Sequence, residues 1–143
     1  LIRSAIIVDT NVVVAGLQDR PVASPEALVL EGMSGAAFPF VLSEALLAEY
    51  REVLARPALR KRHGLSDQAL ESMFAAIARH AVVLAPVPTP PATRAPDPGD
   101  QMLWELLAAR ADLLLVTADK LLLRDKGMRG RVISAQAFMA AEV

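Results

Sequence analysis

Ile6-Ile7-Val8-Asp9-Thr10-Asn11 is the stretch whose reading decides the fold. Its apolar part is short, continuous and β-branched, which predicts a strand over 3–8 covered on both faces. The run ends abruptly in an acid. A second run, Leu113-Leu114-Leu115-Val116-Thr117-Ala118, also ends in an acid, Asp119. It predicts a strand over 113–117 and a short helix over 119–125. Working outward, apolar stretches predict further strands at 37–42, 81–85 and 131–133. Helices fall between them. Asp9 to Leu17 turns into one. Ser24-Pro25-Glu26 places a cap, a first-position proline and an early acid before a helix reaching Gly32 or Gly35. Ser43 caps a long helix to about Arg56, where Pro57 interrupts it. Ser66-Asp67 opens another, to about His80, and 98–110 and 134–142 complete the set. Strands alternating with helices imply an α/β fold with a parallel sheet and helices on both faces.

The 143 residues suit one domain spanning 1–143, with one core. Hydrophobic residues are 54% of the chain, and the mean hydropathy is +0.37. Ala and Leu supply much of this. The rest points to apolar surface for a partner, with helical segments 24–33 and 66–80 as its best sources. These carry Leu28, Val29, Met33, Leu70, Met73, Phe74 and Ile77. No apolar run reaches the roughly 18 residues that span a bilayer. Leu1-Ile2-Arg3-Ser4 reads as the start of a strand and not as a signal peptide. Without Cys there is neither a disulfide framework nor a thiolate metal site, and a cytoplasmic location is the default expectation. A net charge of −1 gives no global case for nucleic acid, so binding would need a local basic patch. Pro86 to Pro98 reads as a loop within the domain.

Loops at the carboxyl ends of parallel strands converge, so acids distant in sequence can share one site. Four are candidates: Asp9, Glu49, Asp100 and Asp119. Carboxylates sharing a pocket repel unless protons or cations neutralise them, and the simplest neutraliser of an all-oxygen cluster is Mg²⁺ or Mn²⁺. Each acid also has a bland reading. Asp9 could be an ordinary loop acid, but its buried flank and the short polar groups of Thr10 and Asn11 favour an oriented carboxylate. On the Ser43 helix, Glu49 flanks the apolar stripe of Leu46, Leu47, Tyr50, Val53 and Leu54. Glu52 turns towards solvent, and Glu44 merely favours the helix dipole. Asp97 is explained as a cap before Pro98, leaving Asp100 on the first turn facing the strand ends. Asp119 caps a short helix, a role compatible with metal contact. Asp112 and Asp125 read as solvated loop acids.

Val8-Asp9-Thr10-Asn11, Ser43 to Glu49 with Tyr50, Asp97-Pro98-Gly99-Asp100 and Val116-Thr117-Ala118-Asp119 together resemble the PIN-domain family of metal-dependent nucleases. Order and spacing match over nearly the whole chain. The likeness is greatest to bacterial toxins of toxin–antitoxin pairs, the VapC-like group. The resemblance implies a three-layer α/β/α sandwich with a central, mainly parallel sheet, Mg²⁺ or Mn²⁺, and endonucleolytic cleavage of RNA phosphodiesters. It also implies a homodimer and an antitoxin protein as partners. It carries catalytic and metal-binding roles onto Asp9, Glu49, Asp100 and Asp119, with Thr10, Asn11, Thr117 and Asp97 in support. Asp97 is an extra acid beside the third position, and the Pro-rich loop before it is long for the pattern.

No Ser-His-Asp or Cys-His nucleophile is available, and His63 and His80 read as surface residues. Two basic runs are candidates for gripping RNA phosphates. One comprises Arg56, Arg60, Lys61, Arg62 and His63; the other Lys120, Arg124, Lys126, Arg129 and Arg131. Aromatics at 4% exclude a broad base-stacking platform. Three rivals remain. A haloacid-dehalogenase-like phosphatase needs an acid where Asn11 stands. A response-regulator receiver needs paired acids after the first strand. A PIN-like domain could also bind RNA or protein without cutting.

Overall fold

The computed structural model describes residues 4–18, 24–90, 93–125, 127–128 and 130–142. Strand β1 is Ile6–Val8, with every residue buried. It is followed by helices α1 (Thr10–Gln18) and α2 (Pro25–Ser34), then strand β2 (Val41–Leu42). Helices α3 (Glu44–Leu54), α4 (Pro57–His63) and α5 (Asp67–His80) lead to strand β3 (Val82–Val83). A single 3-10 turn at Pro98–Asp100 runs into helix α6 (Gln101–Leu107). Strand β4 (Leu114–Val116), helix α7 (Lys120–Leu123), strand β5 (Val132–Ile133) and helix α8 (Ala135–Glu142) complete the chain.

All described strand pairings are parallel: β1 with β4, β4 with β5, and β2 with β3. A bridge between Ile6 and Phe40 joins the two groups, giving the spatial order β3-β2-β1-β4-β5. Leaving β1, the chain crosses first towards β2 and later returns to β4 on the other side. Right-handed crossovers in opposite directions cover opposite faces, and this makes the three-layer α/β/α sandwich. Helix α6 packs on β1 and β4 through Leu103, Trp104, Leu106 and Leu107, all buried. Helix α1 packs on α2 and α3, and α2 also meets α5 and α8. Gly16 permits a close approach of α1 to α2: a Cβ there would stand 2.8 Å from the Glu26 carbonyl oxygen.

Local chemistry explains the boundaries. Ser24, Ser43 and Ser66 each cap a helix by accepting from the backbone N–H three residues on. The strands are shorter than the apolar runs that announced them. The run at 37–42 pairs only from Phe40, because Ala36 turns at φ 57° and Pro39 has no N–H to donate. In the first run, Ser4 and Ala5 precede the ladder, and Arg3 lies outside the described residues.

Two expectations are corrected. Pro57 does not merely end a helix; at the first position it opens another, α4, which Gly64 closes at φ 66°. His63 consequently faces inward and is buried. Its Nδ1 accepts from the Leu65 N–H at 3.0 Å, so Nε2 carries the proton and donates to the Leu54 carbonyl at 3.0 Å. This ring ties the ends of α3 and α4 together. His80 is exposed, as expected. The apolar side chains of 24–33 and 66–80 are largely used inside. Val29, Met33, Leu70, Phe74 and Ile77 are core, Met73 packs against it, and Leu28 is exposed. Among the described residues, no helix is long and apolar enough to cross a membrane.

Candidate active site

Strand order fixes where a site can form. The connections from β1 and β4 leave in opposite directions, so a crevice opens between their carboxyl ends. The register pairs Val8 with Val116, which sets Asp9 beside Thr117. The Asp9 N–H extends the ladder to the Val116 carbonyl at 2.9 Å.

Asp9 is 6% exposed and Thr117 is fully buried. Thr117 Oγ1 donates to Asp9 Oδ2 at 2.8 Å, and Asn11 Nδ2 donates to the same oxygen at 3.2 Å. Asn11 Oδ1 in turn accepts from the Ala118 N–H at 3.1 Å. Thr117 Oγ1 also accepts from the Asp119 N–H at 3.0 Å, so one hydroxyl positions both acids. Asp119 caps α7, its Oδ1 accepting from the Leu121 N–H at 2.9 Å and leaving Oδ2 outside that bond.

The remaining acids come from other elements. Glu49 lies on α3, half-buried, and accepts a hydrogen bond from the Thr10 hydroxyl. Tyr50, its neighbour, is fully buried and donates to the Val8 carbonyl, fastening α3 to the end of β1. Burial, then the charges of Asp9 and Glu49, push the Tyr50 phenol well above its ordinary range. Asp97 is exposed and caps the 3-10 turn through the Gly99 N–H at 2.9 Å. Asp100 follows at the head of α6.

The charges of the four acids act on one another. Burial raises Asp9 above the usual carboxylate range; the Thr117 and Thr10 hydrogen bonds oppose this, and the charges of Glu49 and Asp119 add to it. Asp100 is raised to about 6, first by burial and then by Asp9, Asp97, Asp119 and Glu49. As the side chains stand, no three His, Cys, Asp or Glu among the described residues converge tightly enough to hold a metal ion. The donor chemistry nonetheless fits a hard divalent cation. The donors are carboxylate oxygens with neutral hydroxyl and amide neighbours, and burial together with their mutual repulsion raises Asp100 to about 6.

The two basic runs fare differently from each other. Arg60 pairs with Asp67 and also donates to the Ala55 carbonyl at 3.2 Å, while Arg56 pairs with Glu52 at 3.1 Å. Lys61 and Arg62 are exposed on α4 with no ion pair among the described residues. In the second run, Arg131 is structural: it donates to the carbonyls of Leu107, Arg110 and Leu113 at 2.7–3.2 Å, pinning the α6–β4 turn to β5. Lys120 and Arg124 are exposed and unpaired among the described residues. Lys126 and Arg129 lie outside the described residues. Asp112 pairs with Arg110, and Asp125 accepts from the Met128 N–H at 3.1 Å.

Sequence reasoning named Tyr50 in the apolar stripe and in the matching segment beside Glu49 but missed its link to Val8, and it missed Gln101. Gln101 holds the Pro-rich loop, accepting from the Ala95 N–H at 2.9 Å and donating to Thr89 at 2.8 Å. Its place one residue after Asp100 was the available signal.

No curated protein matches the chain. The family model of the PIN domain matches residues 5–121, which contain β1, β4 and all four acids. On that match, the chain belongs to the PIN-domain family.

Proposed function

We propose that this chain is a divalent-metal-dependent endoribonuclease and the toxin of a toxin–antitoxin pair. PIN domains are usually nucleases and typically use divalent metal ions. The observation that carries the reading here is the hold of one Thr117 hydroxyl on both Asp9 and Asp119 at the ends of β1 and β4, with Glu49 bonded to the adjacent Thr10.

Asp9 and Asp119 would hold Mg²⁺ or Mn²⁺ most directly, with Glu49 and Asp100 in direct or water-mediated contact. When bound, such a cation supplies an activated water and neutralises charge developing on the phosphoryl oxygens. The chain's own groups prepare this. Thr117 and Asn11 fix the Asp9 carboxylate, and Thr10 fixes Glu49. Asp100, near 6 in the cation-free protein, exchanges its proton within reach of neutral pH. Of the described residues in the two basic runs, Lys61, Arg62, Lys120 and Arg124 are the unpaired cations offered to the RNA backbone, with Arg56 and Arg60 held in surface pairs.

A metal-titrated assay on single-stranded RNA, with Asp9→Asn as control, tests the proposal and separates a nuclease from a PIN-like domain that only binds. The partners proposed are RNA, a second copy of the chain and an antitoxin. An antitoxin Arg or Lys would enter the acid cluster and pair with its carboxylates. Light scattering and inhibition by the genomic neighbour's product check these two associations. A strict monomer that the neighbour leaves uninhibited would remove them and leave the nuclease reading standing.

A further inference from the structure

One side chain anchors the Pro-rich loop to the head of α6. Gln101 accepts from the Ala95 N–H at 2.9 Å and donates to Thr89 Oγ1 at 2.8 Å. The backbone donor fixes which end of the amide meets which partner, so Thr89 is the acceptor in that bond. The Thr89 proton is therefore uncommitted among the described residues. Between loop and helix lies an open groove of about 330 Å³, lined by Thr89, Arg94, Ala95, Pro98, Gln101 and Glu105. It adjoins the third acid position, because Gln101 directly follows Asp100 and Pro98 directly follows Asp97.

Arg94 is the group in this groove that the fold does not use. It is exposed, and its guanidinium has no ion pair or hydrogen bond among the described residues. Glu105 lines the same groove without pairing to it. The backbone beside Arg94 is nonetheless held, since Ala95, the next residue, carries the bond to Gln101. Arg131 shows the contrast: its guanidinium is spent on three carbonyls. Arg94 thus offers an accessible cation from an anchored loop, in a groove that borders Asp100, just as Lys120 offers one beside Asp119.

We propose that this groove is a phosphate subsite for the substrate strand, in which Arg94 binds an RNA phosphate that flanks the one being cut; the inference rests on the ribonuclease reading above. A polyanion brought to a cluster of carboxylates is repelled along its length. Neutralising the phosphate at the acids leaves its neighbours repelled, so they need cations from the protein. A guanidinium presents planar, forked donors that match two phosphate oxygens. The free Thr89 proton is a second, neutral donor on the same groove. Glu105 only accepts, so it repels a phosphate and confines it to the Arg94 side. Anchoring by Gln101 holds the loop before RNA arrives, which lowers the ordering cost of binding.

The test uses the full chain carrying Asp9→Asn, so that bound RNA stays intact. A labelled single-stranded RNA is titrated by fluorescence anisotropy at several salt concentrations. Adding Arg94→Ala should weaken binding about tenfold at low salt, the scale of one charge-assisted contact. It should also flatten the log–log salt dependence by about 0.7, the share of one phosphate. Arg94→Lys keeps the charge and should keep the slope. Arg79→Ala is the reference, because Arg79 is equally exposed and unpaired among the described residues but does not line the groove. Its loss should leave affinity and slope in place. No RNA binding at all, an unchanged slope in Arg94→Ala, or an equal loss from Arg79→Ala each overturns the subsite. With Asp9 restored and Mn²⁺ present, Arg94→Ala should raise KM and leave kcat near that of wild type. Cleavage that Arg94→Ala leaves unchanged removes the subsite alone. An absence of cleavage by the wild type counts against the nuclease reading, which the binding titrations do not use.

Discussion

Thr117 Oγ1 donates its one proton to Asp9 Oδ2 at 2.8 Å while accepting the Asp119 N–H at 3.0 Å. This hydroxyl, fully buried between β1 and β4, is the joint at which two candidate ligands from opposite ends of the sequence are held in register. Thr117→Val keeps the shape and removes the proton. Asp9 then loses the hydrogen bond that does most to offset its burial, so its carboxyl rises further above the usual range. The expected cost is about 1–3 kcal/mol of folding stability, the penalty of a buried acceptor losing its donor. Chemical denaturation of the two proteins measures it. A variant as stable as wild type would show that Asn11 and solvent satisfy Asp9 without Thr117.

Asp9→Asn tests the chemistry. Asparagine keeps the volume and can still meet Thr117 and Asn11, but it removes a charge a cation requires. The variant should fold and lose metal-dependent RNA cleavage by orders of magnitude. The same preparation supplies the control, because contaminating ribonuclease would leave the activity unchanged. Undiminished cleavage by a clean variant ends the assignment of Asp9.

Asp100 makes the cluster visible in stability measurements. Its folded value of about 6 lies above the 3.8 of an unperturbed aspartate. The native state therefore binds the proton more tightly than the unfolded chain. That contribution is fully present below about 3.8 and is lost as pH rises through about 6. Without metal, wild type should lose stability relative to Asp100→Asn across this window, so the two melting curves separate as pH climbs. Millimolar Mn²⁺ at neutral pH should raise the wild-type melting temperature and shift the variant less. Parallel pH profiles, or an absent Mn²⁺ response in both proteins, would dissolve the shared pocket.

Much of this arrangement is legible in the chain because it is written in local chemistry. The strand ends at Asp9 and Asp119, the serine caps and the first-turn position of Asp100 follow from short patterns. What is not legible depends on distance. Nothing near Tyr50 announces that its hydroxyl reaches the Val8 carbonyl, and nothing near Arg131 announces three carbonyl partners. Both need the register of strands that the sequence leaves unpaired. His63 was obscured by its neighbours: a run of Arg and Lys reads as a solvated face, yet one side of a helix can be charged while another is buried. The Pro57 and Gly64 pair was the local sign of that helix.

The same helix gives the last prediction, because its charges are not equivalent. Arg60 is held by Asp67 and the Ala55 carbonyl, whereas Lys61 and Arg62 are exposed and unpaired among the described residues. If α4 meets the RNA backbone, the unpaired residues carry the contact. Replacing Lys61 and Arg62 with Ala should weaken binding of single-stranded RNA and flatten the log–log salt dependence by about 1.4, roughly 0.7 for each phosphate no longer neutralised. Arg60→Ala should move the salt slope little, since its loss frees Asp67 without removing an available cation. Its effect on stability should also be small, because the pair is exposed and such pairs contribute about 0–1 kcal/mol. Titrations at several salt concentrations separate the two variants. A double variant with an unchanged slope returns α4 to an ordinary solvated face, and a large slope change from Arg60→Ala would show that its pair opens to receive the substrate.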